Sequence, residues 1–261
     1  MPDDDLRTTF DRVAALYDRS RPTYPPELFA DLVALAGLTD GARILEIGCG
    51  TGQATVPLAE RGYRLTAVEL GANLARIARQ NLARFPHVSV DNAAFEEWPL
   101  PDEPFDLVFA ATSFHWLDHA VAVPKIARAL RAGGHVAIIG GGHVAGGSME
   151  FFSRAQACYE AHMPGTPPGL RPRPADEISP DVPEITNSGL FGEPRHRRYT
   201  WLRDFTMRTY IGELNTYSNH IALSEEDRRA LLECVARLID GDFGGRVTKA
   251  YLTDLLVAPR L

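Results

Sequence analysis

The chain has 261 residues, a formal net charge of −7 and 23% charged residues. That length suffices for one large α/β domain with a well-covered core, and the acidic balance argues against a broad nucleic-acid surface. No apolar run approaches the roughly 18 to 20 residues that span a bilayer, and the acidic start Asp3-Asp4-Asp5 is unlike a signal peptide. The expectation is a soluble, cytoplasmic protein with neither a nucleic-acid nor a membrane partner.

Cys49, Cys158 and Cys234 are odd in number and widely spaced, with no C-x-x-C pair. The spacing argues against a disulfide framework and a zinc site, so each is read as a small buried residue. Lysine occurs only at Lys125 and Lys249 while arginine is abundant, which reads as compositional bias.

In chain order, Leu6 to Leu16 carries apolar residues at Phe10, Val13, Ala14 and Leu16, which predicts a short amphipathic helix. Tyr17-Asp18-Arg19-Ser20-Arg21-Pro22-Thr23-Tyr24-Pro25-Pro26 follows, and its prolines force an extended turn before a helix over Glu27 to Leu35. Then comes Ile44-Leu45-Glu46-Ile47-Gly48-Cys49-Gly50-Thr51-Gly52-Gln53, a buried strand breaking into three glycines at alternate positions. Glycines there permit positive φ and close approach of a ligand. A dinucleotide fingerprint needs Gly-x-Gly-x-x-Gly; here the third glycine comes one residue early and Gln53 occupies its place.

A helix over Thr51 to Arg61 is expected, bent at Pro57. Tyr63 to Glu69 reads as the next strand with Glu69 at its end, where two carboxylate oxygens can accept from both hydroxyls of a ribose. Asn73 to Phe85 has a helical apolar face, and Val88-Ser89-Val90 is the third strand.

The Glu46-to-Gly52 stretch, followed by a strand ending in Glu69, resembles motif I of the class I S-adenosylmethionine-dependent methyltransferases. Tyr-x-x-x-Arg-Pro-x-Tyr-Pro at Tyr17 to Pro25 is similar to the N-terminal segment of a group that includes the trans-aconitate methyltransferases, where it lies over the cofactor as a lid. The resemblance implies a Rossmann-like seven-stranded sheet of order 3-2-1-4-5-7-6, strand seven antiparallel. One domain over 1–261 would hold lid helices to 36, a cofactor half over 37–142 and a substrate side over 143–261.

It also implies S-adenosylmethionine as cofactor and S-adenosylhomocysteine as product. Tyr17, Arg21, Glu46, Gly48, Gly50, Gly52, Gln53, Glu69 and Leu70 are the expected cofactor contacts. Asn92, Ala93, Ala94 and Phe95 fall where adenine is recognised; Asn92 or Asp91 would accept from the adenine amino group, and Phe95 either covers the ring or is core. Arg21 can pair with a carboxylate of either the cofactor or the substrate.

Phe105 to Ala111 is an apolar strand suited to burial on both faces. Its exit, Ala111-Thr112-Ser113-Phe114-His115-Trp116, would form one wall of the substrate pocket, with Ala111 and Thr112 toward the cofactor. His115 is the candidate base and otherwise a structural histidine; Tyr24, Trp116 and Tyr217 are candidate substrate contacts. Pro124 to Leu130 reads as a helix with a glycine C-cap at Gly133-Gly134, and His135 to Ile139 as strand five. Further on, the expectations are a helix over Met149 to His162, an irregular segment over Met163 to Pro183, a strand over Arg195 to Trp201, a helix over Phe205 to Tyr217, a helix capped by Ser224 and a strand over Tyr251 to Val257.

The function implied is methyl transfer to a small-molecule acceptor, at a carboxylate or hydroxyl oxygen, by a monomer or homodimer. A non-catalytic cofactor-binding regulator, an N- or C-methyltransferase and an NAD-dependent oxidoreductase are the alternatives.

Overall fold

The computed structural model describes residues 4–261, with side chains from Thr8 onward, so Asp3 of the acidic start lies outside the described residues. β1 (Arg43–Ile47), β2 (Arg64–Glu69), β3 (Val88–Asn92), β4 (Phe105–Ala111), β5 (Leu130–Gly147), β6 (Arg195–Thr206) and β7 (Arg246–Pro259) form one sheet of order β3-β2-β1-β4-β5-β7-β6. The first five run parallel, and β7 is antiparallel to both β5 and β6. Order and strand directions are those expected. The chain reverses between β1's two neighbours, β2 and β4, and in an open α/β sheet that reversal leaves a crevice outside the carboxyl ends of the strands.

Side-chain alternation sorts each strand onto two cores. Ile44, Leu107, Phe109, Ala137, Leu255 and Val257 face α3 (Pro26–Ala36) and α4 (Thr55–Ala59), while Leu45, Ile47, Val108, Val136, Ile138 and Leu256 face α6 (His119–Ala129). Beyond the parallel sheet, β5, β6 and β7 continue and carry a third core with α7 (Met149–His162), α9 (Met207–Leu214) and α11 (Glu225–Asp242), built on Phe151, Phe205, Tyr210, Leu231, Val235 and Tyr251.

Several elements depart from expectation. The N-terminal helix is two, α1 (Asp4–Arg12) and α2 (Ala14–Ser20), broken at Val13 with φ −117° and ψ 22°. Phe10, Ala14 and Tyr17, spaced i, i+4 and i+7, nevertheless share one face and pack on Leu74 and Ile77 of α5 (Ala72–Leu82). The helix after the glycine turn shrinks to Thr55–Ala59, which leaves Pro57 in its first turn.

Gly133-Gly134 is no helix cap. α6 ends at Ala129 with Leu130 already extended, and the two glycines sit in β5 beside a register shift against β4. There a Cβ on Gly134 would lie 3.1 Å from the Asp106 carbonyl. The segment expected to be irregular leads into a short α8 (Pro183–Thr186); β6 then runs on through Phe205, so the following helix starts at Met207, and α10 (Ser218–Ile221) is separate.

The reading of all three cysteines as free is corrected by Cys158 and Cys234, which form a disulfide between α7 and α11 with Cα atoms 5.8 Å apart; Cys49 alone is free. They are 76 residues apart in sequence, and only helix packing in the third core makes them neighbours. Among the described residues no helix is long and apolar enough to cross a membrane.

The α1–α2 segment, which the resemblance reads as a lid, is fastened at α5. Gly71 caps α5 without a side chain, and Asp11 supplies the missing acceptor: its Oδ1 takes the N–H groups of Asn73 at 2.7 Å and Leu74 at 3.0 Å. Docking the lid is therefore also capping a helix that starts some sixty residues later. Asp11→Ala is expected to cost about 1 kcal/mol of stability, read as a lowered urea midpoint. Asp11→Asn should recover part of it because an amide oxygen still accepts.

Candidate functional site

The site begins at the end of β1. Gly48, Gly50 and Gly52 all have positive φ, at 69°, 59° and 98°. A Cβ on Gly48 would lie 2.6 Å from Ser113 Cβ, so glycine is required for the β1 and β4 exits to meet. Ser113 Oγ closes that contact by donating to the Ile47 carbonyl at 2.5 Å.

Glu69, at the end of β2, is buried and accepts two backbone N–H groups, Gly50 on Oε2 and Gly71 on Oε1, each at 2.8 Å. Its carboxylate thus stands between the glycine turn and the start of α5. Thr112, just past β4, has φ +53°, and among the described residues it is the non-glycine residue with positive φ. A β-branched side chain there is strained, and such strain concentrates at functional sites. Its Oγ1 lies 3.1 Å from Tyr24 Oη of the lid segment.

These groups line a cavity of about 520 Å³ that runs across the carboxyl ends of the strands, from β2 to β7. Such a volume suits a small-molecule site. At the β2 end lie Gly48, Gly50, Gln53, Glu69, Leu70, Ala93 and Phe95; Ala111, Thr112, His115 and Trp116 line the middle, and Tyr17, Arg21 and Tyr24 come from the lid. Phe10 of the lid meets Trp116 edge-on, with ring centroids 5.6 Å apart. Phe95 is both a cavity wall and fully buried core.

Four expected contacts are not brought to the cavity: Glu46, Gly52, Asn92 and Ala94 are absent from its lining. Asn92 is turned onto backbone, its Nδ2 donating to the carbonyls of Glu69 and Leu70 at 2.8 Å each. Asp91 accepts from Trp98 Nε1 at 3.0 Å. Glu46 lies behind the glycine turn, 1% exposed, with Thr55 Oγ1 donating to its Oε2 at 2.5 Å. Burial pushes its carboxyl up to about 8, with the Glu69 charge adding to the shift and Thr55 opposing it.

Arg21 is partly engaged in the lining. Its Nη2 donates to the Thr216 carbonyl at 2.8 Å, and its guanidinium lies over the rings of Tyr17 and Tyr217, 5.1 and 4.9 Å from their centroids. Its Nε is buried without a hydrogen-bond partner among the described residues, so donors for a carboxylate remain. His115 is tilted on Trp116, and partial desolvation of its ring inside the cavity, with the nearby His119 adding to it, holds it below the usual histidine range.

The far end of the cavity was not foreseen. There Trp201, Tyr159, Tyr210, Tyr251, Glu213 and Lys249 join Tyr217. Two signals were available in the sequence. Glu213 falls on the apolar stripe of Tyr210, Leu214 and Tyr217, and Lys249 is one of only two lysines.

Residues 45–138 match the family described as "Methyltransferase domain". This chain carries a methyltransferase domain on the class I methyltransferase fold. An uncharacterized methyltransferase of Mycobacterium tuberculosis is 36% identical over 135 residues, which are 52% of this chain and 53% of that protein. A trans-aconitate 2-methyltransferase of Azoarcus sp. is 40% identical over 41% of this chain and 42% of its own length. The chain therefore aligns with about half the length, or less, of these curated relatives. A solved structure from Anaeromyxobacter dehalogenans, assigned as a type II methyltransferase, covers 92% of this chain and 97% of its own, with a TM-score of 0.64 and 25% identity. The matched stretch of the methyltransferase domain ends at residue 138, just before the Gly140–Gly142 run of the cavity wall, so the β7 end of the cavity lies outside it.

Glu46 yields a pH prediction. Its folded-state value lies above its unfolded one, so the stability it contributes is present below about pH 4.5 and is lost as pH rises toward 8. Wild type should therefore lose about 2 kcal/mol more than Glu46→Gln between roughly pH 5.5 and pH 7.5, at up to about 1.4 kcal/mol per unit. Urea unfolding at the two pH values checks this; parallel curves would mean that Glu46 ionises in place.

Proposed function

We propose that this protein is an S-adenosylmethionine-dependent methyltransferase that transfers a methyl group to a small-molecule acceptor, at oxygen. The observation that carries the reading is Glu69, a carboxylate at the end of β2 held against the glycine turn by Gly50 and Gly71, beneath a docked lid and in a cavity that continues past Trp116. The residues present suit the cofactor: a glycine turn that a Cβ would block at Gly48, an acid at the ribose position, and Leu70, Ala93 and Phe95 as an apolar slot for a flat base. The glycine spacing does not suit a dinucleotide.

Bound here, S-adenosylmethionine would supply a methyl on a sulfonium, so the leaving group needs no protein acid. What the chain must do is hold acceptor and methyl in line, which in intramolecular systems is worth roughly 7 to 11 kcal/mol, and exclude water. The lid serves the second task through Phe10 and Tyr17, with Arg21 tying it to Thr216 on the acceptor side. His115 sits beside Trp116 with its ring nitrogen held toward the neutral form, so it can take a proton from a hydroxyl acceptor. An acceptor that arrives ionised needs no base. The Azoarcus relative's name makes organic acids the first acceptors to assay.

Calorimetric titration with S-adenosylmethionine, S-adenosylhomocysteine and NAD tests the reading. Micromolar binding of both sulfur ligands and none of NAD is expected; no binding of either sulfur ligand would overturn it. Glu69→Gln should weaken S-adenosylhomocysteine binding about tenfold or more, because hydrogen bonds to a charged group are worth about 1.5 to 3 kcal/mol each. Unchanged affinity would remove Glu69 from the ribose position.

His115→Ala should lower kcat for a hydroxyl acceptor about a hundredfold, as general-base loss does, and flatten the acid limb of its rate profile. An unaltered profile would make His115 structural.

A further inference from the structure

The acceptor end of the cavity holds a buried charged pair that neither cofactor binding nor lid closure explains. Lys249 is 3% exposed and Glu213 1%. Lys249 Nζ donates to Glu213 Oε1 at 2.9 Å and to Tyr217 Oη at 2.5 Å. Glu213 also accepts from Tyr217 Oη, and from Tyr251 Oη at 2.7 and 2.8 Å. Burial pushes the Glu213 carboxyl up, but Lys249 and the tyrosine hydroxyls outweigh it and hold the group ionised below its usual range.

The charges here do not balance. Arg203 Nη1 stands 4.0 Å from Glu213 Oε2, and Arg21 lies over the Tyr217 ring, so Lys249, Arg203 and Arg21 surround one carboxylate. Both arginines add to the effect of burial in holding Lys249 below its usual value, against the pull of Glu213. Lys249 is the buried one of the three and the arginines are half-buried, and an excess of positive charge around a buried ammonium favours an added anion.

The three cations differ in what they already hold. Arg21 gives one Nη2 donor to Thr216 between tyrosine rings and keeps a buried Nε without a partner among the described residues, and Arg203 donates to the Ser20 carbonyl at 3.2 Å. An ammonium has three donors, and Lys249 uses two of them among the described residues. Flat walls flank it, with Trp201 stacked on Tyr251 at 4.6 Å and 16°, Tyr159 beyond, and Trp116 toward the middle of the cavity.

We infer that Lys249, presented by Glu213 and Tyr217, anchors an anionic oxygen group of the acceptor, and that the acceptor is a planar molecule carrying a phenolate or a carboxylate. The inference rests on the methyltransferase reading and names the acceptor class of that site. Glu213 is a positioning residue: it keeps the ammonium aimed while supplying too little negative charge to satisfy the cluster. A single lysine anchor suits one anionic group beside an aromatic body better than a bidentate arginine clamp does.

The test uses the whole protein, free and saturated with S-adenosylhomocysteine, and reads tryptophan fluorescence from Trp116 and Trp201. The probes are 2-naphthoate with neutral 2-naphthamide, and 4-nitrophenolate with neutral nitrobenzene, at a pH where both acids are ionised. At least one anion should bind ten times or more tighter than its neutral partner, and whichever pair shows the preference assigns carboxylate or phenolate. Lys249→Met should abolish the preference while leaving S-adenosylhomocysteine affinity within twofold. Because that variant strands a buried carboxylate, Lys249→Met with Glu213→Gln is measured beside it and should also show no preference.

Equal binding of anion and neutral partner, no binding of any probe, or a preference that survives in the variants would overturn the inference. Loss of S-adenosylhomocysteine binding by wild type would instead overturn the cofactor reading, and the probe titrations of the free protein still decide the anchor.

Discussion

Most of this site depends on one carboxylate. Glu69 accepts the N–H groups of Gly50 and Gly71, and in doing so pins the glycine turn after β1 to the start of α5. Neither N–H has a partner inside its own element, since the first is in a left-handed turn and the second precedes a helix. Leaving both buried donors unmet would cost on the order of 1 to 3 kcal/mol each, so the acid at the end of β2 holds the turn and the helix start together.

The lid follows from the same place. α5 begins at Ala72, immediately after Glu69, Leu70 and Gly71, and its exposed N-terminal N–H groups are met by Asp11 from α1. A Cβ on Gly71 would meet Asp11 Oδ1 at 2.7 Å, so the cap requires glycine there. The far edge of the lid is held by Arg21 on Thr216 and by Arg203 on Ser20. The position of α1 and α2 is thus coupled to both ends of the cavity, to the β2 end through α5 and to the β7 end through the loop that carries Tyr217.

The β7 end of the cavity is built on different physics. Where the β2 end offers backbone donors, a carboxylate and an apolar slot, the β7 end offers aromatic planes around a buried ion pair. Breaking a buried pair by removing one partner is strongly destabilising, so Lys249 and Glu213 form a rigid base to this end of the cavity. The disulfide between Cys158 and Cys234 lies behind this base, next to Tyr159, and fixes α7 against α11.

The glycine turn, Glu69 at the end of a strand and the proline-broken segment before α3 were legible in the sequence because each is a local pattern, while the sheet order was implied by the resemblance those patterns carry. Alternating apolar residues set strand faces, three glycines permit a left-handed turn, and prolines at Pro22, Pro25 and Pro26 break a helix. Glu46 was misplaced at the cavity because motif proximity does not say which way a strand residue faces; the pleat turns it toward Thr55. What tertiary structure alone decided were the long-range pairs: Asp11 with Asn73, Cys158 with Cys234, and Lys249 with Glu213. No periodicity records such partners, because they are chosen by how helices pack on the extended β5–β7–β6 edge and on the lid.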